Sequence, residues 1–255
     1  MRSWALVTGA TAGIGESFTR LLATNNYNVV LVARDLPRLE ERAIALQAKF
    51  GVETAVLQAD LSTNEGCALV ERYIAEHDID VLINNAGFGI KKAFTASALN
   101  DEQNLLDVLV RTPMRLMHGA LLKMRARDKG VIINVSSVAG FIAGGTYSAS
   151  KSYLTVLSES LNTELVGTNI KITALCPGFT RTEFHQRGRM SMKGLPSFMW
   201  LNADKLVADA WNDALKGRAI SVPGRQYKLL TLLIQIAPRP LVRKIGMKVR
   251  VKQRR

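Results

Sequence analysis

The chain has 255 residues, of which 47% are hydrophobic, and its formal net charge is +13. This length and apolar content suffice for one globular domain with a sizeable core. The sequence has no internal repeat or low-complexity tract, which excludes a repeat array and a disordered chain.

The first predicted element is a buried strand, residues 4–7, that runs directly into a glycine-rich loop, residues 8–15, and then a helix. Glycines here allow a tight turn and close approach of the backbone to a pyrophosphate, and the helix N-terminus attracts the anion. Their spacing is G-x-x-x-G-x-G. The predicted dinucleotide contacts in this loop are Gly9, Thr11, Gly13, Ile14 and Gly15.

The rest of the chain alternates apolar runs with longer amphipathic segments. Further strands are predicted near residues 27–33, 52–59, 80–84, 131–135 and 170–175. This alternation predicts an α/β fold, a doubly wound parallel sheet of the Rossmann type, with right-handed crossovers covering both faces. Ligands bind at the carboxyl edge of such a sheet, so side chains that follow the strands are candidates for the site.

The end of the second strand bears on the choice of nicotinamide cofactor. An acidic residue there accepts hydrogen bonds from the ribose 2′-hydroxyl of NAD(H), whereas an arginine pairs with the 2′-phosphate of NADP(H). Here Ala33 is followed by Arg34, with Asp35 one residue later. Arg34 therefore favours NADP(H), while Asp35 leaves NAD(H) open.

A tyrosine and a lysine four residues apart are the most informative pair in the sequence. Leucines at three- and four-residue steps predict a helix over residues 147–165, which places Tyr147 and Lys151 on one face. A phenol titrates near ~10, so proton transfer at neutral pH needs a nearby cation, and Lys151 is that cation. Taken alone, the pair is far more typical of any exposed helix than of an active site. Ser137, at the end of the strand near 131–135, is predicted at the same sheet edge.

Five motifs in this order resemble those of the short-chain dehydrogenase/reductase family. They are the glycine loop at 8–15, Asn84-Asn85-Ala86-Gly87, Ser137, Tyr147-x-x-x-Lys151 and Pro177-Gly178. The resemblance extends to about Thr182. It implies an enzyme that transfers a hydride between a nicotinamide and a carbonyl or secondary alcohol, that is, a ketoreductase or dehydrogenase.

The resemblance also implies roles for individual residues. Ser137 would bond the developing alkoxide, and Tyr147 would donate the proton. Lys151 would hold the pKa of the tyrosine down and bind the nicotinamide ribose. Ser136 is the nearest rival for the serine role, but Ser137 lies three residues before Gly140, as the family's active serine does.

Further cofactor contacts follow from the same resemblance. They are Asp60 with Leu61 at the adenine, Asn85, Ala86 and Gly87 on the ribose side, and Pro177, Gly178, Thr180 and Thr182 at the carboxamide or diphosphate. Asp60 is equally consistent with a helix cap, and the two threonines with ordinary loop polarity. The family further implies a homo-oligomer in which long helices of neighbouring subunits pack together.

Two features depart from the family pattern. The loop from Gly140 to Tyr147 is short, which reshapes the substrate wall. The position at which many members carry an active-site asparagine falls on Leu109, which cannot hold the water of a proton relay, and Asn104 is more than a turn away. Either the relay takes another route and the enzyme remains active, or the protein binds dinucleotide better than it turns over.

A substrate-closing loop is expected after the last predicted strand, over residues 179–199. Its apolar and flexible side chains are Phe184, Met190, Met192, Leu195, Phe198 and Met199, followed by Trp200. This composition predicts a lipophilic substrate, such as an acyl or steroid-like ketone.

The positive charge is concentrated at the C-terminus. No Asp or Glu follows Asp213, whereas twelve Lys or Arg do. We therefore divide the chain into an oxidoreductase domain, residues 1–224, and a basic amphipathic extension, residues 225–255. The extension is consistent with contact to an anionic membrane surface or with a helix that closes the substrate pocket; nucleic acid is not expected, because interleaved aromatics are missing. Its apolar run, residues 229–237, is shorter than the about twenty residues that span a bilayer.

The remaining features point to an intracellular protein. The first strand starts within four residues of Met1, so no signal peptide is expected and the protein should be cytoplasmic. Cys67 and Cys176 then need not pair, and Cys176 is expected to be a small buried hydrophobe. The histidines, His77, His118 and His185, show no metal-ligand spacing, and no metal site is expected.

Overall fold

A computed structural model describes residues 2–184, 196–244 and 246. Seven parallel strands form one sheet in the order β3-β2-β1-β4-β5-β6-β7. The strands are β1 Trp4–Thr8, β2 Asn28–Ala33, β3 Thr54–Gln58, β4 Ile79–Asn84, β5 Gly130–Val135, β6 Ile170–Leu175 and β7 Ile220–Ser221. The predicted doubly wound parallel sheet is confirmed, and only the two-residue β7 was not predicted.

Helices cover both faces of the sheet. They are α1 Gly13–Thr24, α2 Leu36–Phe50, α3 Asn64–Glu76, α4 Leu99–Leu106, α5 Thr112–Arg127, α6 Thr146–Glu164, α7 Ala203–Leu215 and α8 Arg225–Ile236. Helices α1, α2 and α7 pack into one hydrophobic cluster, and α3, α4, α5 and α6 pack into the other. The result is a three-layer α/β/α arrangement.

Strand β1 shows how apolar side chains of the sheet are divided between its two faces. Ala5 and Val7 belong to one cluster, and Leu6 between them belongs to the other. Successive side chains of a strand point to opposite faces, so a strand covered on both sides is apolar along most of its length.

The strand order reverses at β1, which pairs with β2 on one side and β4 on the other. In an open α/β sheet, the crevice at such a switch point is where ligands bind. The loops that leave the carboxyl ends of β1 and β4 carry the glycine-rich segment and Asn84-Asn85-Ala86-Gly87. The fold therefore brings these two motifs to one crevice.

Helices α4 and α5 are joined by a π-helical turn, Asp107–Arg111, rather than by a loop. Leu109 lies in this turn and is almost fully buried. Single π turns inside α-helices are frequent at functional sites. This turn was not predicted from the sequence.

Helix α8 is fixed to the rest of the molecule by Tyr227. Its hydroxyl accepts a hydrogen bond from the Phe179 N–H (3.0 Å) and donates one to the Met199 carbonyl (2.6 Å). A Cβ on Gly178 would lie 2.0 Å from the Tyr227 ring, so only glycine allows this packing. The boundary between residues 224 and 225 stays a prediction. Over the described residues, no helix is both long enough and apolar enough to cross a bilayer.

Candidate active site

The glycine loop forms a tight cradle at the start of α1. Gly9 and Gly13 have φ of +66° and +57°, a region that side chains other than glycine rarely adopt. A Cβ on Gly15 would lie 2.2 Å from the Gly9 carbonyl oxygen, so the helix approaches β1 closely. The residue before the helix is Ala12, which has no side-chain oxygen to cap it. The first N–H groups of α1 are thus suited to an anionic group, and the cradle fits a dinucleotide pyrophosphate.

Asn85 and Thr8 lock this loop to the end of β4. The Asn85 side chain donates to the Thr8 carbonyl (2.9 Å) and to the Gly9 carbonyl (3.2 Å). The Thr8 hydroxyl in turn accepts from the N–H groups of Asn85 (2.9 Å) and Ala86 (3.0 Å). With its amide engaged in this way, Asn85 contributes structurally to the cofactor side of the crevice.

The ends of β2 and β3 place a cation beside an anion. Arg34 is 75% exposed, and its Nη1 is 3.8 Å from Asp60 Oδ2. Burial would raise the pKa of Asp60, but hydrogen bonds from the Ser62 N–H and hydroxyl, together with Arg34, outweigh it and lower the pKa. Asp60 thus forms a local turn with Ser62, and the cap of α3 is Thr63.

Asp35, the residue that left NAD(H) open as the cofactor, caps a helix in the structure. It is the N-cap of α2, and its carboxylate accepts a hydrogen bond from the Arg38 N–H (3.2 Å). The Arg38 guanidinium makes two hydrogen bonds with Glu183, at 3.0 and 3.2 Å. This pair links α2 to the segment after β6, and sequence reasoning missed it because the partners are 145 positions apart.

Ser137 and Tyr147 form the centre of the candidate site. The Ser137 hydroxyl accepts a hydrogen bond from the Ala139 N–H (3.1 Å) and lies near the Tyr147 phenol. Burial raises the pKa of Tyr147 to about 12, and the influence of the Ser137 hydroxyl offsets only part of this rise. We expected Lys151 to hold this pKa down; in the structure burial dominates, and the shift has the opposite direction.

Lys151 lies one turn further along α6. Its Nζ donates to the Val135 carbonyl (2.6 Å) and is 5.7 Å from the centre of the Tyr147 ring. Burial lowers the pKa of Lys151 to about 8. The ammonium is therefore directed at the end of β5 rather than at the phenol oxygen.

Ser136 does not compete with Ser137. It is buried, and its hydroxyl bonds the Lys151 carbonyl and the Thr155 hydroxyl, both at 2.7 Å. Its hydroxyl therefore joins the end of β5 to α6. Cys176 is also buried, and this burial raises the pKa of its thiol to about 11.

A small cavity of about 10 Å³, the size of one water molecule, adjoins Lys151. Its walls are Thr8, Leu61, Asn84, Ala86, Val108, Leu109, Thr112, Pro113, Val135, Lys151 and Leu154. The Asn84 side chain donates to the side-chain Oδ1 of Asn134 (2.9 Å), but its own Oδ1 has no hydrogen-bond partner among the described residues. Leu109 contributes only an apolar wall, and a Cβ on Gly87 would lie 2.8 Å from its Cδ2.

The loop after β6 closes over the glycine cradle. A Cβ on Gly13 would meet the Thr182 side chain at 2.9 Å. The Thr180 hydroxyl is buried and donates to the Gly178 carbonyl (3.0 Å). Leu61 is less directly placed, because its side chain is in the core and its carbonyl accepts from the Thr112 hydroxyl.

Part of the expected substrate loop can be placed. The Phe184 ring lies 6.1 Å from the Tyr147 ring, and Phe179 lies 6.2 Å from Trp200, centre to centre. Phe198 is exposed, and Met199 is held by Tyr227. Met190, Met192, Leu195 and His185 lie outside the described residues.

The site geometry agrees with a comparison against known proteins. A family model described as short chain dehydrogenase matches residues 3–192, which is more than half of the chain. The chain belongs to the short-chain dehydrogenase/reductase family. This dehydrogenase is therefore an oxidoreductase that acts on alcohol or ketone groups, as predicted.

Individual relatives are similar over most of their length. The ketoacyl reductase HetN of Nostoc sp. is 32% identical to this dehydrogenase, over 91% of this chain and 84% of its own. The very-long-chain 3-oxoacyl-CoA reductase-B of Danio rerio is 30% identical, over 88% of this chain and 83% of its own. A solved short-chain dehydrogenase from Sphingobium yanoikuyae, in complex with NADPH, has a TM-score of 0.83 and 30% identity, covering 91% of this chain and 93% of its own.

Proposed function

We propose that this protein is an NADP(H)-dependent, cytoplasmic ketoreductase of a lipophilic substrate, with Tyr147 as its acid and base. The observation that carries the proposal is the placement of Ser137 beside the Tyr147 phenol at the carboxyl edge of the sheet, with the Lys151 ammonium 5.7 Å from the Tyr147 ring centre. This pair lies at the same edge as the glycine cradle, which fits a dinucleotide.

The protein's own groups would manage the proton and the developing charge. The glycine loop and Arg34 would hold NADPH, which would supply the hydride. Ser137 bonds the substrate oxygen and stabilises the negative charge that develops on it. With a pKa of about 12, the Tyr147 phenol is protonated at neutral pH and can donate its proton to that oxygen. Lys151 fixes the end of β5 against α6 through Val135 and provides the ammonium for the ribose.

The preference for NADP(H) is supported by the surroundings of Arg34. Its guanidinium is largely exposed, so it is available to a 2′-phosphate. Asp35 is occupied as a helix cap, and Ala33 offers no acceptor for a ribose 2′-hydroxyl. The NADPH complex of the solved relative agrees with this assignment.

The lipophilic substrate is supported by aromatic side chains around Tyr147. Phe184 approaches the phenol directly, and Phe179 and Trp200 pack in the adjoining loop. Two relatives are named ketoacyl or very-long-chain 3-oxoacyl-CoA reductases, whose substrates are acyl ketones by name.

The proposal is tested by substrate turnover. NADPH oxidation is followed with a panel of long-chain acyl, cyclic and small polar ketones, for the wild type, Tyr147→Phe and Tyr153→Phe. Tyr153 lies on the same helix and is exposed, so it is a matched control. We expect Tyr147→Phe to lose about 10²- to 10⁴-fold in kcat, as for loss of a general acid, and Tyr153→Phe to retain activity. Equal activity of the two variants, or turnover of small polar carbonyls alone, would contradict the proposal.

A second candidate is a dinucleotide-binding protein of low activity that acts through a membrane or a partner. It rests on Leu109, whose side chain is apolar and buried beside the cavity at Lys151. Tight NADPH binding without turnover of any ketone would favour it over the enzyme.

We also propose that the protein forms homo-oligomers through its long helices. Exposed apolar side chains occur on these helices, namely Met114 and Leu122 on α5 and Tyr153 and Val156 on α6. Light scattering of the purified protein tests this proposal.

A further inference from the structure

Helix α8 has an unusual distribution of polar and apolar side chains. It buries Tyr227, Thr231 and Ile234 against the domain. On the opposite side, four apolar residues are each more than half exposed: Leu229 at 59%, Leu232 at 56%, Leu233 at 51% and Ile236 at 73%. Their spacing of i, i+3, i+4 and i+7 forms one continuous stripe along the helix. A surface helix of a soluble domain normally turns such a stripe inward.

Basic side chains border this stripe. The exposed ones among the described residues are Arg225, Lys228, Arg239, Arg243 and Lys244. The sequence from residue 214 to residue 255 contains no Asp or Glu. Leu241, half exposed in the helical stretch 239–244, continues the apolar surface among these cations.

We propose that the α8 stripe (Leu229, Leu232, Leu233 and Ile236) docks this protein onto an anionic lipid bilayer. The helix lies in the plane of the interface, with the leucines in the boundary between headgroups and acyl chains and the basic residues at the headgroups. Charge complementarity identifies this occupant. A second copy of the same face would bring two cationic surfaces without acidic residues together, which is unfavourable.

The inner side of α8 connects this surface to the active site. Tyr227 holds the backbone of Phe179 and of Met199, which belong to the proposed substrate loop. Docking therefore places the substrate loop close to the bilayer, where a lipophilic ketone is dissolved. This second step rests on the proposed function, whereas the docking itself does not.

Vesicle sedimentation of the full-length protein tests the docking. The vesicles contain phosphatidylcholine alone or mixed with phosphatidylserine. We expect the wild type to sediment with the mixed vesicles and much less with phosphatidylcholine alone. The double variant Leu232→Gln/Ile236→Gln should lose at least tenfold in partition coefficient, because two apolar side chains no longer enter the interface.

A matched control is the variant Ile44→Gln/Val166→Gln. Both side chains are exposed, and neither residue belongs to α8. This control should sediment like the wild type. Melting temperature and NADPH binding, measured without vesicles, confirm that both variants are folded. Failure of ketone turnover with intact sedimentation would overturn the proposed function and leave the docking standing.

Two results would overturn the docking. One is equal sedimentation of the wild type and Leu232→Gln/Ile236→Gln with the mixed vesicles, or no sedimentation of either. The other is light scattering in which this variant turns a dimer into a monomer while the wild type does not bind vesicles. In that case the stripe is an interface between two copies of the chain.

Discussion

Tyr147 and Lys151 share one face of α6, and burial shifts their pKa values in opposite directions. It raises the pKa of the phenol to about 12 and lowers that of the ammonium to about 8. Both shifts favour the neutral form, as expected when water is removed from an ionisable group. The phenol is therefore well suited to donate a proton.

The lowered pKa of Lys151 has a consequence for stability. The folded-state pKa of about 8 lies below the ordinary value of 10.5, so the unfolded chain binds the proton more tightly. The cost of burying the charge is complete below pH about 8 and disappears as the pH rises to about 10.5. We predict that the free energy of unfolding of the wild type rises relative to that of Lys151→Met over this interval.

The measurement is urea unfolding of both proteins at a series of pH values from 7 to about 10. Lys216→Met, at an exposed position, is the control, and its difference from the wild type should stay flat. A wild-type advantage that is constant or falls with pH would show that Lys151 is not destabilised by burial.

Arg34 carries the second prediction at this scale. We expect Arg34→Gln to raise the Kd for NADPH by about ten- to a hundredfold and to leave the Kd for NADH unchanged, because a charge-assisted bond to the 2′-phosphate is lost. Fluorescence titration measures both constants. Arg125→Gln, also at an exposed arginine, should change neither. An equal rise in the Kd values for NADPH and NADH would show that Arg34 does not contact the 2′-phosphate.

At the level of elements, hydrophobic patterns predicted most of the sheet. Strand β6, Ile170–Leu175, has the predicted bounds, and the others differ by one or two residues. Strand β7 has only two residues, which is too short to show any periodicity. The patterns describe local burial, so they found the elements but not the contacts between distant ones.

The site was predictable where chemistry follows directly from residue type and strand ends. The glycine loop, Ser137, Tyr147 and Lys151 do lie at one edge of the sheet. The sequence could not show that removal from water outweighs nearby groups at Tyr147, and its pKa is raised where we expected Lys151 to lower it. The anchoring of α8 by Tyr227 was missed as well, because it depends on backbone groups of Phe179 and Met199.

The π turn at Asp107–Arg111 contains Leu109, the residue that departs from the family pattern, and Leu109 also lines the small cavity beside Lys151. Leu109 is fully enclosed there, while polar groups of Thr8, Asn84 and Thr112 line the same space. We predict that Leu109→Asn raises kcat by less than about tenfold, because the phenol, lysine and serine remain in place, and lowers stability by about 2–4 kcal/mol.

Steady-state kinetics and urea unfolding measure the two effects. Leu105→Asn is the matched control, since Leu105 is equally buried on α4 but does not line the cavity. It should destabilise the protein without any gain in kcat. A gain of a hundredfold or more in Leu109→Asn alone would show that the natural leucine interrupts a proton relay and would favour the protein of low activity.

At the scale of the whole molecule, charge and chemistry are separated. The candidate catalytic and cofactor-binding residues lie between Gly9 and Thr182, whereas the positive charge accumulates after Asp213. With such a separation, the basic surface can determine where in the cell the protein binds without changing the reaction at the active site. Surface charge also acts over a Debye length of about 8–10 Å, so its effects depend on salt.

Residues 247–255 test this separation, because they contain five of the twelve C-terminal Lys and Arg: Lys248, Arg250, Lys252, Arg254 and Arg255. We predict that replacing all five with Gln lowers binding to phosphatidylserine-containing vesicles at least tenfold, since each basic residue near an anionic surface contributes about 1 kcal/mol. Turnover of a water-soluble ketone should stay unchanged. A deletion of 247–255 should match the five-Gln variant if charge alone is responsible. Intact vesicle binding in the five-Gln variant would show that the α8 stripe docks without help from the terminal charges. A fall in turnover would instead show that the C-terminal residues contribute to the active site.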